Sequence, residues 1–319
     1  MKNTKFIVIG IVFIGLIIFG KAIWPKPTEI KKIKMSYLPA TCDLVNFIAY
    51  EQGYYKDEGL NVELTKFETS NQVSDALLAG RIDVSGCFSY PVAFSVEANQ
   101  PDTFRSIRSV ITSSDYPFLW IVARANDQTI KSIKDLVGKK VGRFPGTTTE
   151  AQLKHALKSV GVDPNAVTMQ AIAPSQQINA LVSGVVDALY VLEPIPTIAE
   201  EQGIGRKVED IEKYLVEPNY NALFAVTKNY YKNNKGIVGR VIKAQDRAVD
   251  FLRKYPTEAK QIMTKYTPLS SGQAAKVGVG YPLKSTETIE YAKVQEYADL
   301  LFNEGDLKIK VDIGKLFSN

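Results

Sequence analysis

Histidine is almost missing from this 319-residue chain, and His155 is the only one. A metal centre built on imidazole, or a catalytic triad that relays a proton through histidine, has almost nothing to work with. His155 stands beside Ala156, off the face carried by Leu153, Leu157 and Val160, and reads as solvated. Cysteine is nearly as scarce. Cys42 and Cys87 have no metal-ligand spacing, and neither follows the N-terminal apolar run closely enough to be a lipidated cysteine. An oxidising compartment would allow a disulfide between them. No basic cluster is interleaved with aromatics, so nucleic acid is not an expected partner. These absences lead to an expectation of no metal, no cofactor and no catalytic residues.

What is present begins with export. Lys2 and Lys5 precede the uncharged run FIVIGIVFIGLIIFG, which ends at Gly20 and is followed by Lys21, Ala22, Ile23 and Trp24. A basic start followed by an apolar run is an export signal. The run is short against the roughly 17–25 residues of a spanning helix, but it reaches Trp24 if Lys21 snorkels. No clear small-x-small cleavage site follows, so a retained anchor over 1–24 is preferred to a cleaved signal, with 25–32 as a linker. Either way the body is expected outside the cytoplasm. Removing the three lysines of residues 1–24 lowers the net charge from +5 to +2. The remainder, with 45% hydrophobic and 23% charged residues overall, has the composition of a globular protein.

After the linker the chain alternates strand and helix. Ile33, Met35 and Tyr37 read as a strand, LPATC as a loop, and Leu44, Phe47 and Ile48 as a helix face ending at Gly53. GLNVEL is a second strand, ETSN leads into a helix closed by Gly80, and RIDVSG is a short third strand. The segment ALLAGRIDV at 76–84 recurs as ALVSGVVDA at 180–188, so the second half repeats the organisation of the first. Gly80 and Gly184 read as helix ends, and Asp83 and Asp187 as strand-edge residues. The fold class is α/β: two lobes, each a mostly parallel sheet with helices on its faces, and a cleft between their carboxyl edges. YPFLWIVAR (116–124) and NALFAVTKN (221–229) are expected to cross between lobes as hinge strands. Lobe 1 then covers 33–115 and 225–319, with its helical C-terminal part packing back on it, and lobe 2 covers 116–224.

The stretch RFPGTTTEAQLKHAL (143–157) places Gly146 and three threonines before an amphipathic run. Thr147 followed by Glu150 fits a capping box, which uses only one hydroxyl well. The remaining N–H groups, the helix dipole and the spare hydroxyls suit an anion or a polar ligand group.

Four blocks carry a family resemblance: SYLPATCDLVNFIAYEQGYYKDEGLNVEL, ALLAGRIDVSG, SIKDLVGKKVGRFPGTTTEAQLKHAL and LVSGVVDALYVLEP. Together, over about residues 33 to 230, the chain resembles the solute-binding proteins of nitrate/sulfonate/taurine-type ABC importers. The resemblance implies a periplasmic-binding-protein fold of the second type, a small ligand captured by hinge closure, an ABC permease with its ATPase as partner, and a monomer. Relatives in that family bind nitrate, aliphatic sulfonates, taurine or pyrimidine precursors of thiamine. Matching blocks nominate Pro39, Ala40, Thr41, Cys42 and Asp43 after the first strand, and Ser70 and Asn71 at the second helix. They also nominate Ser85, Gly86 and Cys87 after the third strand, Gly146, Thr147 and Thr148 at the quoted helix start, and Tyr190 and Glu193 after a later strand. On this reading Thr147 or Thr148 touches the ligand.

Charge leaves the ligand open. Arg143 is the nearest cation to Thr147, whereas Asp43 and Glu193 favour an amine or ring N–H, and Phe88, Tyr90, Tyr116 and Trp120 are candidates to stack on a ring. The alternatives to a transport receptor are a binder of a thiamine-precursor pyrimidine and an enzyme of that pathway on the same fold. For an enzyme, Cys42 and Cys87 are the only nucleophiles and have no base. The resemblance also makes the strands before the two cysteines neighbours. A bridge and a pair of free thiols therefore both stay open, with free thiols preferred because loops on one edge diverge.

Overall fold

The computed structural model describes residues 30–318. The expected anchor over 1–24 and most of the linker lie outside the described residues. Among those described, no helix is long and apolar enough to cross a membrane.

Alternation builds the first sheet as expected. In β1 (Lys31–Tyr37) Ile33 and Met35 are buried while Lys32 and Lys34 are exposed, and in β2 (Leu60–Lys66) Leu60 and Val62 are buried. The two strands are parallel, with Ile33 opposite Val62. The third strand expected in RIDVSG is reduced to a single parallel bridge, Met35 to Val84. The chain then enters a second sheet through β3 (Phe88–Ser89) and β4 (Phe104–Thr112). Lobe 2 is a five-stranded sheet of β5 (Leu119–Arg124), β6 (Lys140–Arg143), β7 (Thr168–Ala171), β8 (Ala188–Leu192) and β9 (Gly205–Asp210), ordered β7-β6-β8-β5-β9. The chain returns to lobe 1 as β10 (Asn219–Thr227), between β3 and β4, and β11 (Tyr281–Pro282) closes that sheet on the other side of β4.

The repeated segment has the same job in both lobes. Asp83 accepts the N–H of Lys34, at the sheet edge of lobe 1, at 2.8 Å, and Asp187 accepts the N–H of Lys140 at 2.9 Å in lobe 2. Gly80 and Gly184 have φ of 65° and 75°, the left-handed backbone that lets each preceding helix stop and turn. The repeat is structural.

The chain crosses between lobes twice, over 113–118 and over 211–218. The two apolar runs expected to be hinge strands lie just beyond these crossings. β5 is inside the lobe 2 sheet between β8 and β9, and β10 is inside the lobe 1 sheet from Asn219 onward, so lobe 2 ends before residue 224. Their apolar character reflects burial on both faces of a sheet, not a crossing. The helix Lys235–Lys254 packs on the helix Leu44–Glu51 and buries Val241, Ala244, Ala248 and other residues at helical spacing. The helix Tyr291–Asn303 covers β10. The helical C-terminal part thus packs on lobe 1. The lobes also meet: Ala151 and Ile198 of lobe 2 belong to the hydrophobic core of lobe 1.

Candidate functional site

Helices in both lobes start at the same place. Ser70–Leu78 and Tyr90–Asn99 of lobe 1 and Thr147–Ser159, Pro174–Val182 and Ile195–Glu201 of lobe 2 all open onto one inter-lobe cavity of about 720 Å³. Each start brings free or partly free N–H groups and the positive end of a helix dipole. At Thr147–Ser159 the cap is Gly146, which has no side chain to spend on the first turn. Its φ of 113° is a conformation that glycine adopts without strain. The expected capping box is therefore absent. Glu150 instead pairs with Arg143 and, at 2.8 Å, with Lys154. The Thr149 hydroxyl donates to the Phe144 carbonyl at 2.7 Å. Nothing is described for the side chain of Thr147. Thr148 reaches across the cleft, its hydroxyl 3.2 Å from that of Ser89 at the start of Tyr90–Asn99.

Eight nominated residues line this cavity: Pro39, Ala40, Cys42, Ser70, Asn71, Cys87, Gly146 and Thr148. The Ser70 hydroxyl accepts the Ser89 N–H at 3.0 Å, so it orients the neighbouring helix start. Cys42 and Cys87 form a disulfide with Cα atoms 5.9 Å apart, which settles the open alternative against the preferred free thiols. The reason lies next to it. The fully buried Asp43 carboxylate accepts the N–H of Leu38 at 2.7 Å, the N–H of Cys87 at 3.0 Å and the Asn46 amide at 3.0 Å. One side chain thereby ties the two loops together instead of letting them diverge. Burial pushes its pKa up to about 7 in spite of those three bonds.

Thr147 aside, the structure does not bring the other nominees to the cavity. Thr41 is buried against Leu44, Val45 and Leu252, its hydroxyl without a partner. Asp43 faces the loops it joins. Ser85 is fully buried, accepting the Ala225 N–H at 2.7 Å. Gly86 sits where any Cβ would collide with Asp43 and the Ser36 carbonyl. Tyr190 is fully buried in β8, its hydroxyl donating to Gln152 at 3.1 Å, and burial pushes that hydroxyl well above the ordinary phenol range. Glu193 is fully buried too, bonded to Thr197 at 2.9 Å and ion-paired with Lys207 at 3.0 Å, yet burial still raises its pKa. Arg143 folds back to donate to the carbonyls of Phe144 and Gly146 at 3.1 and 2.8 Å, so it is occupied by its own loop. Of the candidate ring partners, Phe88 and Tyr90 are core, Tyr116 packs on Tyr281, and Trp120 lies under Lys207.

Residues not nominated from the sequence complete the walls. Phe118, Phe144 and Tyr266 supply the aromatic surface. Tyr266 is stacked on Phe47 with centroids 4.2 Å apart and rings parallel within 1°. Gln152 lines the cavity one turn after Thr148 and is held between two tyrosines, accepting from Tyr190 and donating to Tyr297 at 2.9 Å. Its position was legible, because i and i+4 share a helix face. Tyr266 had no local signal; it comes from the C-terminal part of lobe 1. Among the described residues, the two lining lysines both have acidic partners, Lys66 with Glu68 at 2.8 Å and Lys265 with Glu51.

A family model described as "NMT1/THI5 like" matches residues 44–259. A protein of Brucella abortus (strain 2308) named as a binding protein is 25% identical over 279 residues, 84% of each chain. The taurine-binding periplasmic protein of Escherichia coli (strain K12) is 27% identical over 150 residues, 47% of this chain and 45% of that one. Among solved structures, the alkanesulfonate-binding protein SsuA of Xanthomonas axonopodis pv. citri, bound to MOPS, superposes with a TM-score of 0.76 at 16% identity. That match covers 92% of this chain and 99% of that chain.

Proposed function

The chain belongs to the NMT1/THI5-like family, and from that premise we propose that it is the extracytoplasmic solute-binding component of an ABC import system. In this reading it closes its two lobes on a small organic sulfonate or taurine-like solute and delivers it to a permease with its ATPase. Residues 1–24 export the chain and tether it to the membrane, and it works as a monomer.

One observation carries the reading: a cavity of about 720 Å³ shared by both lobes, with the glycine-capped helix start at Gly146 on one wall. An oxyanion bound there is met by first-turn N–H groups, the helix dipole and the Thr148 and Ser89 hydroxyls. The two lining lysines are already paired, so this anion is held mainly by hydrogen bonds. The walls of Leu38, Val92, Phe118, Phe144 and Ile178 suit an apolar body behind the head group, which nitrate lacks. Cys42 and Cys87, the two candidate nucleophiles, are bonded to each other, which supports binding without chemistry.

A thermal-shift and calorimetry screen tests this with alkyl and aryl sulfonates, taurine, nitrate and aminopyrimidines. The expected result is stabilisation that grows with the apolar body of the sulfonate, reaching about 2.7 kcal/mol at a hundredfold excess over Kd. A response to aminopyrimidines alone would move the assignment to the thiamine-precursor reading.

A further inference from the structure

Glu212 lies at the second crossing, fully buried at the junction of the lobes. Its Oε2 accepts from the Thr112 hydroxyl at 2.9 Å and the Asn219 amide at 3.2 Å, and its Oε1 accepts the Leu119 N–H at 3.2 Å. Thr112 ends β4 in lobe 1, Leu119 opens β5 in lobe 2, and Asn219 opens β10 back in lobe 1. One carboxyl group therefore joins both places where the chain changes lobe. We propose that Glu212 is a proton-controlled latch on the hinge: neutral, it holds the lobes together as seen here, and losing its proton favours separated lobes.

The surroundings argue for the neutral form. All three partners are uncharged, and the titratable groups that face Glu212 are Asp210, Tyr190 and Tyr297, none of them a cation. The adjacent Lys213 turns away to Glu209 at 2.7 Å, and Glu217 is bonded to the Ser114 N–H at 2.9 Å. Burial pushes the Glu212 carboxyl up to about 8, with Asp210 adding to the rise. A neutral carboxyl also needs an acceptor for its own proton. Asn219 Oδ1 is buried without a partner, and turning that amide exchanges the bond it donates to Glu212 for one it accepts from the neutral carboxyl. The ionised form, by contrast, leaves a buried charge with three neutral donors, and that charge is relieved when separating lobes admit water. Change at this one group is transmitted to both crossings, because both are bonded to it.

The test is inter-lobe energy transfer in the full chain without ligand. Dyes are placed through genetically encoded azides at the exposed Leu78 of lobe 1 and Val182 of lobe 2. As pH rises from about 4 to about 9 the wild type should show a change in transfer whose midpoint lies between the ordinary glutamate value of 4.5 and about 8, and Glu212→Gln should show none. The same transition in Glu212→Gln overturns the proposal. Should that variant fail to fold, Thr112→Val removes one donor to the carboxylate and is expected to move the midpoint upward. An unmoved midpoint, or no transition in the wild type, also overturns it.

Discussion

Thr148 and Asp43 were nominated for the same role, and the structure gives them opposite ones. Thr148 points its hydroxyl across the cavity to Ser89, on the other lobe. Thr148→Val should therefore weaken binding of an alkyl sulfonate by about 1–3 kcal/mol, read by calorimetry, with folding intact. Asp43 is removed from the cavity by its three hydrogen bonds, and its role is read in stability against pH. Its folded pKa of about 7 lies above its ordinary 3.8, so over that interval the folded chain holds a proton that the unfolded chain has released. The stability this proton contributes is present below about pH 4 and is lost as pH rises to 7. Denaturant midpoints for the wild type should fall over that window. Asp43→Asn should be less stable overall and show a shallower slope, and an unchanged slope would exclude Asp43 as its source.

Among the elements, the loops after β1 and before β3 form a single unit held by the Cys42–Cys87 bridge and by Asp43. Alkylation of the exported, unfolded protein without reduction should add no group to either cysteine. The bridge closes a separation of 45 residues, so Cys42→Ser with Cys87→Ser should lower stability by about 2–4 kcal/mol. Binding should weaken as well, since half of the cavity wall loses its pre-organisation. The helices were easier to read than these loops. Leu153, Ala156 and Leu157 are all buried, as their spacing requires. The capping box failed because Gly146, not Thr147, takes the cap position, a choice made by the backbone of the loop.

For the whole molecule, the lobes already touch through Ser89 and Thr148, through Gln152 and Tyr297, and through Lys276 and Glu201 at 2.8 Å. The last pair is well exposed, so it contributes little, about 0.2–1 kcal/mol. Glu201→Lys turns it into a repulsion, and the apparent Kd for a sulfonate should rise a few-fold, less at high salt. Small-angle scattering of the wild type should show a radius of gyration that does not increase when a binding sulfonate saturates it. Expansion on binding would contradict closure.

Periodicity and short-range order in the sequence were enough for the α/β class, the doubled lobe and the cleft-facing helix starts near Ser70 and Thr147. Alternation in β1, the 3.6-residue spacing of Leu153 and Leu157, and the Gly–x–x–Asp of both repeats are local patterns, and each element forms from residues that are near one another in the chain. Which side chains line the cavity was a different kind of question. Tyr266 reaches it only because the C-terminal part packs back on lobe 1, and Glu212 gains its partners only where Thr112, Leu119 and Asn219 converge. Ser85, Gly86 and Glu193 carry no local mark that distinguishes a buried partner from a ligand contact. Burial, and with it the pKa of Asp43 and Glu212, is set by residues distant in sequence, and only the packed molecule assembles them.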